Sequence, residues 1–163
     1  MQITMSPISP KDREPIMDIF NYYVEHSFAA YPEKKLPYEF FDTFLRMCEG
    51  YPSATVRDEA GKVAGFGMLR PYSPIPAFSK TAEITYFLEP MCTGRGIGTI
   101  ILDHLIVRGG EKGLTSLLAS ISSLNEKSIR FHLKNGFVEC GRFRKIGLKK
   151  SQTFDIVYYQ KML

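Results

Sequence analysis

Cysteine is scarce in this chain. Only Cys48, Cys92 and Cys140 occur in 163 residues, odd in number, widely spaced, and without a CxxC pair or a nearby histidine. That pattern excludes a disulfide framework and signals no metal site, and reduced thiols in a cytoplasm are the expectation. Long apolar runs are missing too: none approaches the ~18 residues of a membrane span. The opening "MQITMSPISP" has neither a charged n-region nor an apolar h-region, so a soluble, unexported protein with no membrane partner is expected. The charge excess is small, at +4. It would draw an anionic small molecule, but no Lys/Arg stripe accompanies it, and nucleic acid is not an expected partner. Internal repeats, low-complexity tracts and dividing linkers are also absent.

What remains is a length that fits one domain and a composition, 44% hydrophobic, that can fill a core. A short "QITM" strand leads to Ser9-Pro10, an N-cap followed by proline at the first helical position. Then "KDREPIMDIFNYYVEH" sets Ile16, Ile19, Phe20, Tyr23 and Val24 on one face of a helix. A proline-marked loop precedes a second helix, "YEFFDTFLRMCEG", which Gly50 stops. "SATVRDEAGKVAGFGMLR" reads as a β-hairpin around "DEAG", with Gly65 and Gly67 weakening its second strand. "PYSPIPAFSK" is a loop, and "TAEITYFL" is a β-rich strand closed by Pro90. A third helix, a buried strand "TSLLASI", a fourth helix "NEKSIRFHLKNGF" and closing strands "FVECGRFRKIG" and "TFDIVYYQKML" complete one mixed α/β domain over residues 1–163, ordered βααβββαβαββ.

The third helix is entered through "CTGRGIG", where Gly94, Gly96 and Gly98 stand between a strand and a helix. First-turn backbone N–H groups are unpaired donors at the positive end of the helix dipole, and a turn without β-carbons lets an anion approach them. The loop reads as a pyrophosphate cradle, to which Thr99 can add a hydroxyl and Arg95 a cation, while Ile97 begins the packed face. Glycines that only make a tight turn are the plainer alternative. No Lys-Ser/Thr follows the last glycine, as a P-loop requires, and neither the glycine spacing nor the position in the chain suits a Rossmann fingerprint.

Set beside the rest of the chain, the loop resembles the acyl-CoA loop of the GNAT superfamily of N-acetyltransferases, [RQ]-x-x-G-x-[GA], here Thr93 to Gly98. Thr93 departs from the usual Arg or Gln. A second family element downstream is matched by Asn125, Ser128, His132, Gly136 and Phe137. Within the superfamily, "IFNYYVEHS", Glu83, "SIRFHLKNGF" and an ending with Asp155 and Gln160 are most similar to phosphinothricin and methionine-sulfone acetyltransferases. The resemblance implies a sheet that splays after the fourth strand. Acetyl-CoA would lie in the gap as co-substrate, paired with the main chain of Tyr86, Phe87 and Leu88 and held near Asn125 and Ser128, with no metal.

It also implies roles. An alkylammonium with a pKa near 10 cannot attack a thioester until it loses a proton. Glu83, alternating within an otherwise apolar strand, is the expected base, and His132 stands where family members carry the group that protonates the departing thiolate. A backbone N–H near Leu88 would meet the charge growing on the carbonyl oxygen. The bland readings are an ion-paired strand carboxylate, a structural histidine and an N-capping Asn125. Tyr22, Phe28 and Tyr31 are expected on the acceptor side. There the family's R-x-x-Y-x-x-x-x-E segment is replaced by "IPAFSKTAE", so that Ile75 and Phe78 stand in the arginine and tyrosine positions. This predicts a less anionic or more apolar small amine than phosphinothricin, with Lys80 or Arg70 supplying the cation if an acid is used. A non-catalytic CoA-binding module and a protein N-terminal acetyltransferase are the competing functions; a homodimer is admitted, and the sequence leaves the oligomeric state open.

Overall fold

The computed structural model describes residues 2–163. Its elements run β1 (Thr4–Ser6), α1 (Arg13–His26), α2 (Phe41–Met47), β2 (Ser53–Arg57), β3 (Val63–Pro71), β4 (Thr81–Leu88), α3 (Ile97–Glu111), β5 (Ser116–Ser122), α4 (Glu126–Lys134), β6 (Val138–Lys149) and β7 (Gln152–Met162). This is the expected order. Both early helices open with a 3-10 turn, and α2 is the more shortened: residues 38–40 form that turn after Pro37, and the α-helix ends at Met47 before Gly50 takes a positive φ of 76°.

The signal at Ser9-Pro10 opens a 3-10 turn over residues 10–12, from which α1 continues at Arg13, and a carboxylate fixes that entry. Asp12 is fully buried. One of its oxygens accepts the Ser9 backbone N–H at 2.9 Å and the Thr55 hydroxyl at 3.0 Å, and the other pairs with Arg57. A buried carboxylate with this many donors ties the entry of α1 to β2. From there Ile16, Met17, Ile19, Phe20 and Val24 pack with Phe41, Phe44, Phe66 and Met68 on one face of the sheet. Each such fully buried side chain contributes about 1.5–3 kcal/mol.

The seven strands lie in the order β1-β2-β3-β4-β5-β7-β6. All neighbours are antiparallel except β4 and β5. The other face is covered by α3, whose Ile101, Leu102 and Leu105 join Leu69, Ile84, Leu117 and Val157 in a second core. Gly67 faces α3: a β-carbon there would stand 2.6 Å from Ile101 Cγ2 and 3.2 Å from Leu105 Cδ1. The glycine that weakens β3 as a strand thus lets the helix lie close against it.

The pairing of β4 is unequal on its two edges. It follows β3 from Pro71↔Ala82 to Gly65↔Leu88, but it follows β5 only over Thr81↔Ser116, Ala82↔Leu117 and Glu83↔Leu118. Strand β5 then runs on with β7 as far as Ser122↔Ile156. The sheet therefore opens beyond Glu83, which is the expected splay.

Candidate active site

The walls of the opening can be assigned from the ladder. Glu89 N–H donates to the Ala64 carbonyl at 2.8 Å, and hydrogen-bonded pairs alternate along an antiparallel ladder. Phe66 and Phe87 are therefore bonded to each other, whereas Tyr86 and Leu88 turn their main-chain groups into the gap. Of the three residues expected to offer main chain there, Phe87 is a correction: its groups are engaged with β3, and its ring packs on Phe20 at 5.4 Å. The Leu88 carbonyl accepts the Tyr23 hydroxyl at 2.7 Å. Burial, then the neighbouring Tyr22 and Glu89, pushes the Tyr23 phenol up to about 12, so it stays a donor. Tyr86 N–H and C=O and Leu88 N–H are what remain for a ligand lying along β4.

The gap leads to the glycine loop. Gly94 and Gly96 have φ of 73° and 81°, and Gly96 caps α3 without any side-chain hydrogen bond to the first-turn donors. A β-carbon at either glycine would meet nothing within 4 Å. Backbone conformation, not crowding within the protein, is what requires glycine here, and open space lies over the donors. Ile97 is buried and anchors the helix start, and Gly98 lies beneath the Phe131 ring. Arg95 is exposed and Thr99 half-buried, while the Thr93 hydroxyl is used within the loop, donating to the Pro90 carbonyl at 2.9 Å. These features fit a pyrophosphate. Across the gap, the Asn125 side chain accepts the Ser128 N–H at 3.3 Å and caps α4.

His132 sits deeper than expected, at 3% exposure. Its Nδ1 donates to the Ser128 carbonyl at 2.7 Å, so Nε2 is the acceptor and the Tyr86 hydroxyl donates to it. The two rings stack, with Phe137 edge-on at 4.9 Å. Burial holds the imidazole below its ordinary pKa, opposed by the Ser128 bond, and the same burial raises the Tyr86 phenol. With both nitrogens occupied, any proton that His132 delivers to the gap must pass through the Tyr86 hydroxyl.

On the opposite face of β4, cross-strand pairing lines up Arg70, Glu83, Leu118 and Gln160. Glu83 Oε2 accepts Arg70 Nε at 3.1 Å and Nη2 at 2.6 Å, and Gln160 donates to the Ser116 hydroxyl at 2.9 Å. Next to them lies the loop after α1. Tyr31 stacks on Phe154 at 5.7 Å, and Phe28 meets the same ring at 5.8 Å. Burial raises the Tyr31 phenol, reinforced by Tyr158 and opposed by the Arg70 charge. The loop is held by Lys149, a fully buried ammonium that donates to the carbonyls of Val24, Ser27 and Ala30 at 2.6–2.7 Å.

The other residues expected on the acceptor side, Tyr22, Ile75, Phe78 and Lys80, are all exposed. Tyr22 lines a groove on the outer side of α1 with Asp18, Glu25 and Tyr38, because its helical position faces away from the sheet. Ile75 and Phe78 are 56% and 45% exposed on the loop before β4. Of the two cations expected to serve an acid, Lys80 is exposed and Arg70 pairs with Glu83. The sequence reading missed Tyr23 and Lys149. A tyrosine counted into a helix face and a lysine beside a turn carry no local sign of the carbonyls they reach.

A strand whose end leaves its neighbour, main-chain groups facing the gap, and a glycine-capped helix at its mouth together form the site. The acetyltransferase (GNAT) family matches residues 16–137. This chain belongs to it. A curated relative, the L-methionine sulfoximine/L-methionine sulfone acetyltransferase of Pseudomonas aeruginosa, is 30% identical over 149 residues, covering 89% of this chain and 86% of the relative. The crystal structure of a phosphinothricin acetyltransferase from Sinorhizobium meliloti in complex with AcCoA is similar at TM-score 0.92 and 27% identity, covering 100% of this chain and 89% of that one. A ribosomal-protein-alanine N-acetyltransferase from Brucella melitensis is similar at TM-score 0.90 and 28% identity, covering 98% and 99%. Among the described residues no helix is long and apolar enough to cross a membrane, and no group of three or more His, Cys, Asp or Glu could hold a metal.

The His132 environment generates a pH prediction. The unfolded imidazole takes a proton near pH 6.5, and the folded one, held neutral, does so only at lower pH. Below about pH 6.5 the unfolded chain therefore binds more protons, so stability is full above that pH and falls as pH is lowered through it. Urea unfolding between pH 5 and 8 should show this slope in the wild type and a shallower one in His132→Gln, the difference isolating His132 from His104. Equal slopes would mean that His132 does not carry the effect.

Proposed function

We propose that this protein transfers the acetyl group of acetyl-CoA to the primary amine of a small, amino-acid-like molecule by direct attack on the thioester, in the cytoplasm. The observation that carries the reading is the position of Glu83: it is the last β4 residue paired with β5, so its carboxylate stands where the gap begins. Bound acetyl-CoA supplies the activated acetyl thioester. Gly94, Gly96 and the first-turn N–H groups of Ile97, Gly98 and Thr99, with Arg95, would hold the pyrophosphate, and Tyr86 would pair by main chain with the pantetheine arm against Asn125 and Ser128. Glu83 takes the proton that the amine sheds as the N–C bond forms and the C–S bond breaks. The Leu88 N–H stabilises the charge that grows on the carbonyl oxygen. Tyr86, backed by His132, is the route by which the departing sulfur gains a proton. Phe28 and Tyr31 wall the acceptor.

Support for this acceptor class comes from the names of the Pseudomonas and Sinorhizobium proteins. The Brucella protein supports a second reading, acetylation of a protein N-terminus, and an alanine-terminated peptide belongs in any substrate panel. In that panel, phosphinothricin should not be the best substrate by kcat/KM, because Ile75 and Phe78 offer no partner to a second anion and an unpaired buried charge is costly. Phosphinothricin as the leading acceptor would refute that reading of the loop.

Two substitutions test the site. Glu83→Gln should lower kcat/KM by about 10²–10⁴-fold with acetyl-CoA affinity unchanged by calorimetry, and higher pH should recover part of the rate as free amine accumulates. An unaltered rate moves the base elsewhere. Gly96→Ala forces a β-carbon into a left-handed conformation, at about 1–2 kcal/mol, and should weaken acetyl-CoA binding while a thermal melt still shows a folded protein; undiminished affinity would remove the cradle from this loop.

A further inference from the structure

Arg70 and Glu83 make an ion pair of uneven geometry. A guanidinium meeting a carboxylate fork to fork uses both oxygens, yet here Nε and Nη2 both donate to Oε2. Glu83 Oε1 and Arg70 Nη1 have no protein partner among the described residues. Among the described residues no buried side-chain nitrogen or oxygen lacks a partner, so these two atoms are not sealed from solvent. The pair is otherwise well enclosed, with the side chains 31% and 19% exposed. A donor edge of fixed positive charge and a bare carboxylate oxygen thus stand side by side at the start of the gap. The Arg70 charge is also felt at Tyr31, in the aromatic wall.

We propose that Arg70 is a specificity-determining residue: its open Nη1 edge receives a carboxylate of the acceptor while Glu83 Oε1 receives the proton of the amine beside it. This rests on the proposed function and narrows it. A single Arg–Glu pair can serve both groups only when they are close together in the acceptor, as in an α- or β-amino acid. Ile75 and Phe78 provide no second cation, and the walls are the aromatic rings of Phe28 and Tyr31, so the rest of the acceptor is neutral and mostly apolar. Guanidinium is suited to this because its planar fork keeps a second N–H edge in fixed geometry once the first is engaged, whereas a lysine ammonium is a point charge on a flexible stem.

The test compares L-methionine with L-methioninamide, which differ in the carboxylate, as acceptors for wild type, Arg70→Met and Arg70→Lys. Wild type should prefer the acid by about 10–100-fold in kcat/KM, the range of a charge-assisted hydrogen bond or two. Arg70→Met should abolish the preference, chiefly through KM for the acid, and Arg70→Lys should restore part of it. Should Arg70→Met not fold, Arg70→Gln, which keeps a polar side chain without the charge, makes the same comparison. Equal losses on both acceptors would leave Arg70 as a holder of Glu83 and overturn the inference, as would a wild type indifferent to the carboxylate. Absence of turnover with either compound and with the wider amine panel would instead overturn the reading of the whole site, and this inference with it.

Discussion

Three residue pairs hold the two halves of the sheet together at β4 and β5, and the site exists because there are no more. Had β5 followed β4 to Leu88, the main-chain groups of Tyr86 would be consumed in a ladder, as those of Phe87 are by β3. Backbone polar groups inside a protein do not go unpaired without reason. The unequal pairing of β4 leaves a short row of donors and acceptors for another extended chain to use, and it puts the glycine-capped start of α3 at the end of that row.

A sheet that opens must be held at its opening by something other than strands. On the α3 face this falls to α4, whose His132 reaches the Tyr86 hydroxyl on β4 while bonding its own helix through Ser128. The imidazole is thus a buried link between the two halves, and its depth follows from that position. On the other face Lys149, at the end of β6, reaches across to the C-terminus of α1. Three carbonyls satisfy all three of its N–H groups, and the negative end of the helix dipole favours the charge. A buried ammonium without a carboxylate is tolerable only with such partners. Through it the loop carrying Phe28 and Tyr31 is positioned by the second half of the sheet, although it follows a helix of the first.

The two faces also divide the chemistry. Alternation along β4 sends Ala82, Ile84 and Tyr86 toward α3 and α4, and Glu83 and Phe87 toward α1. The carboxylate therefore shares its face with Arg70 and the aromatic loop, and the glycine loop is reached through the main chain between the faces. In the proposed function one strand presents a cofactor wall by its backbone and an acceptor wall by a side chain, because side-chain direction and hydrogen-bond direction both alternate with a period of two residues.

The sequence by itself determined what depends on near neighbours. The order βααβββαβαββ, the capped turn at Ser9-Pro10 that leads into α1, the glycines before α3 and the lone carboxylate in an apolar strand all follow from spacing, capping and alternation within a few residues, and family resemblance added a splay that agrees with the structure. Only the tertiary structure decided how far β5 accompanies β4, since no proline, glycine or other local signal within either strand ends the pairing. It decided that Arg70 stands opposite Glu83, because the loop of residues 72–80 between β3 and β4 fixes no register, whereas a two-residue hairpin would have. And it decided the fate of Lys149, whose first partner, the Val24 carbonyl, lies 125 residues away along the chain: a bond to a backbone carbonyl asks for no particular side chain at the far end, so it leaves no pattern in the sequence to read.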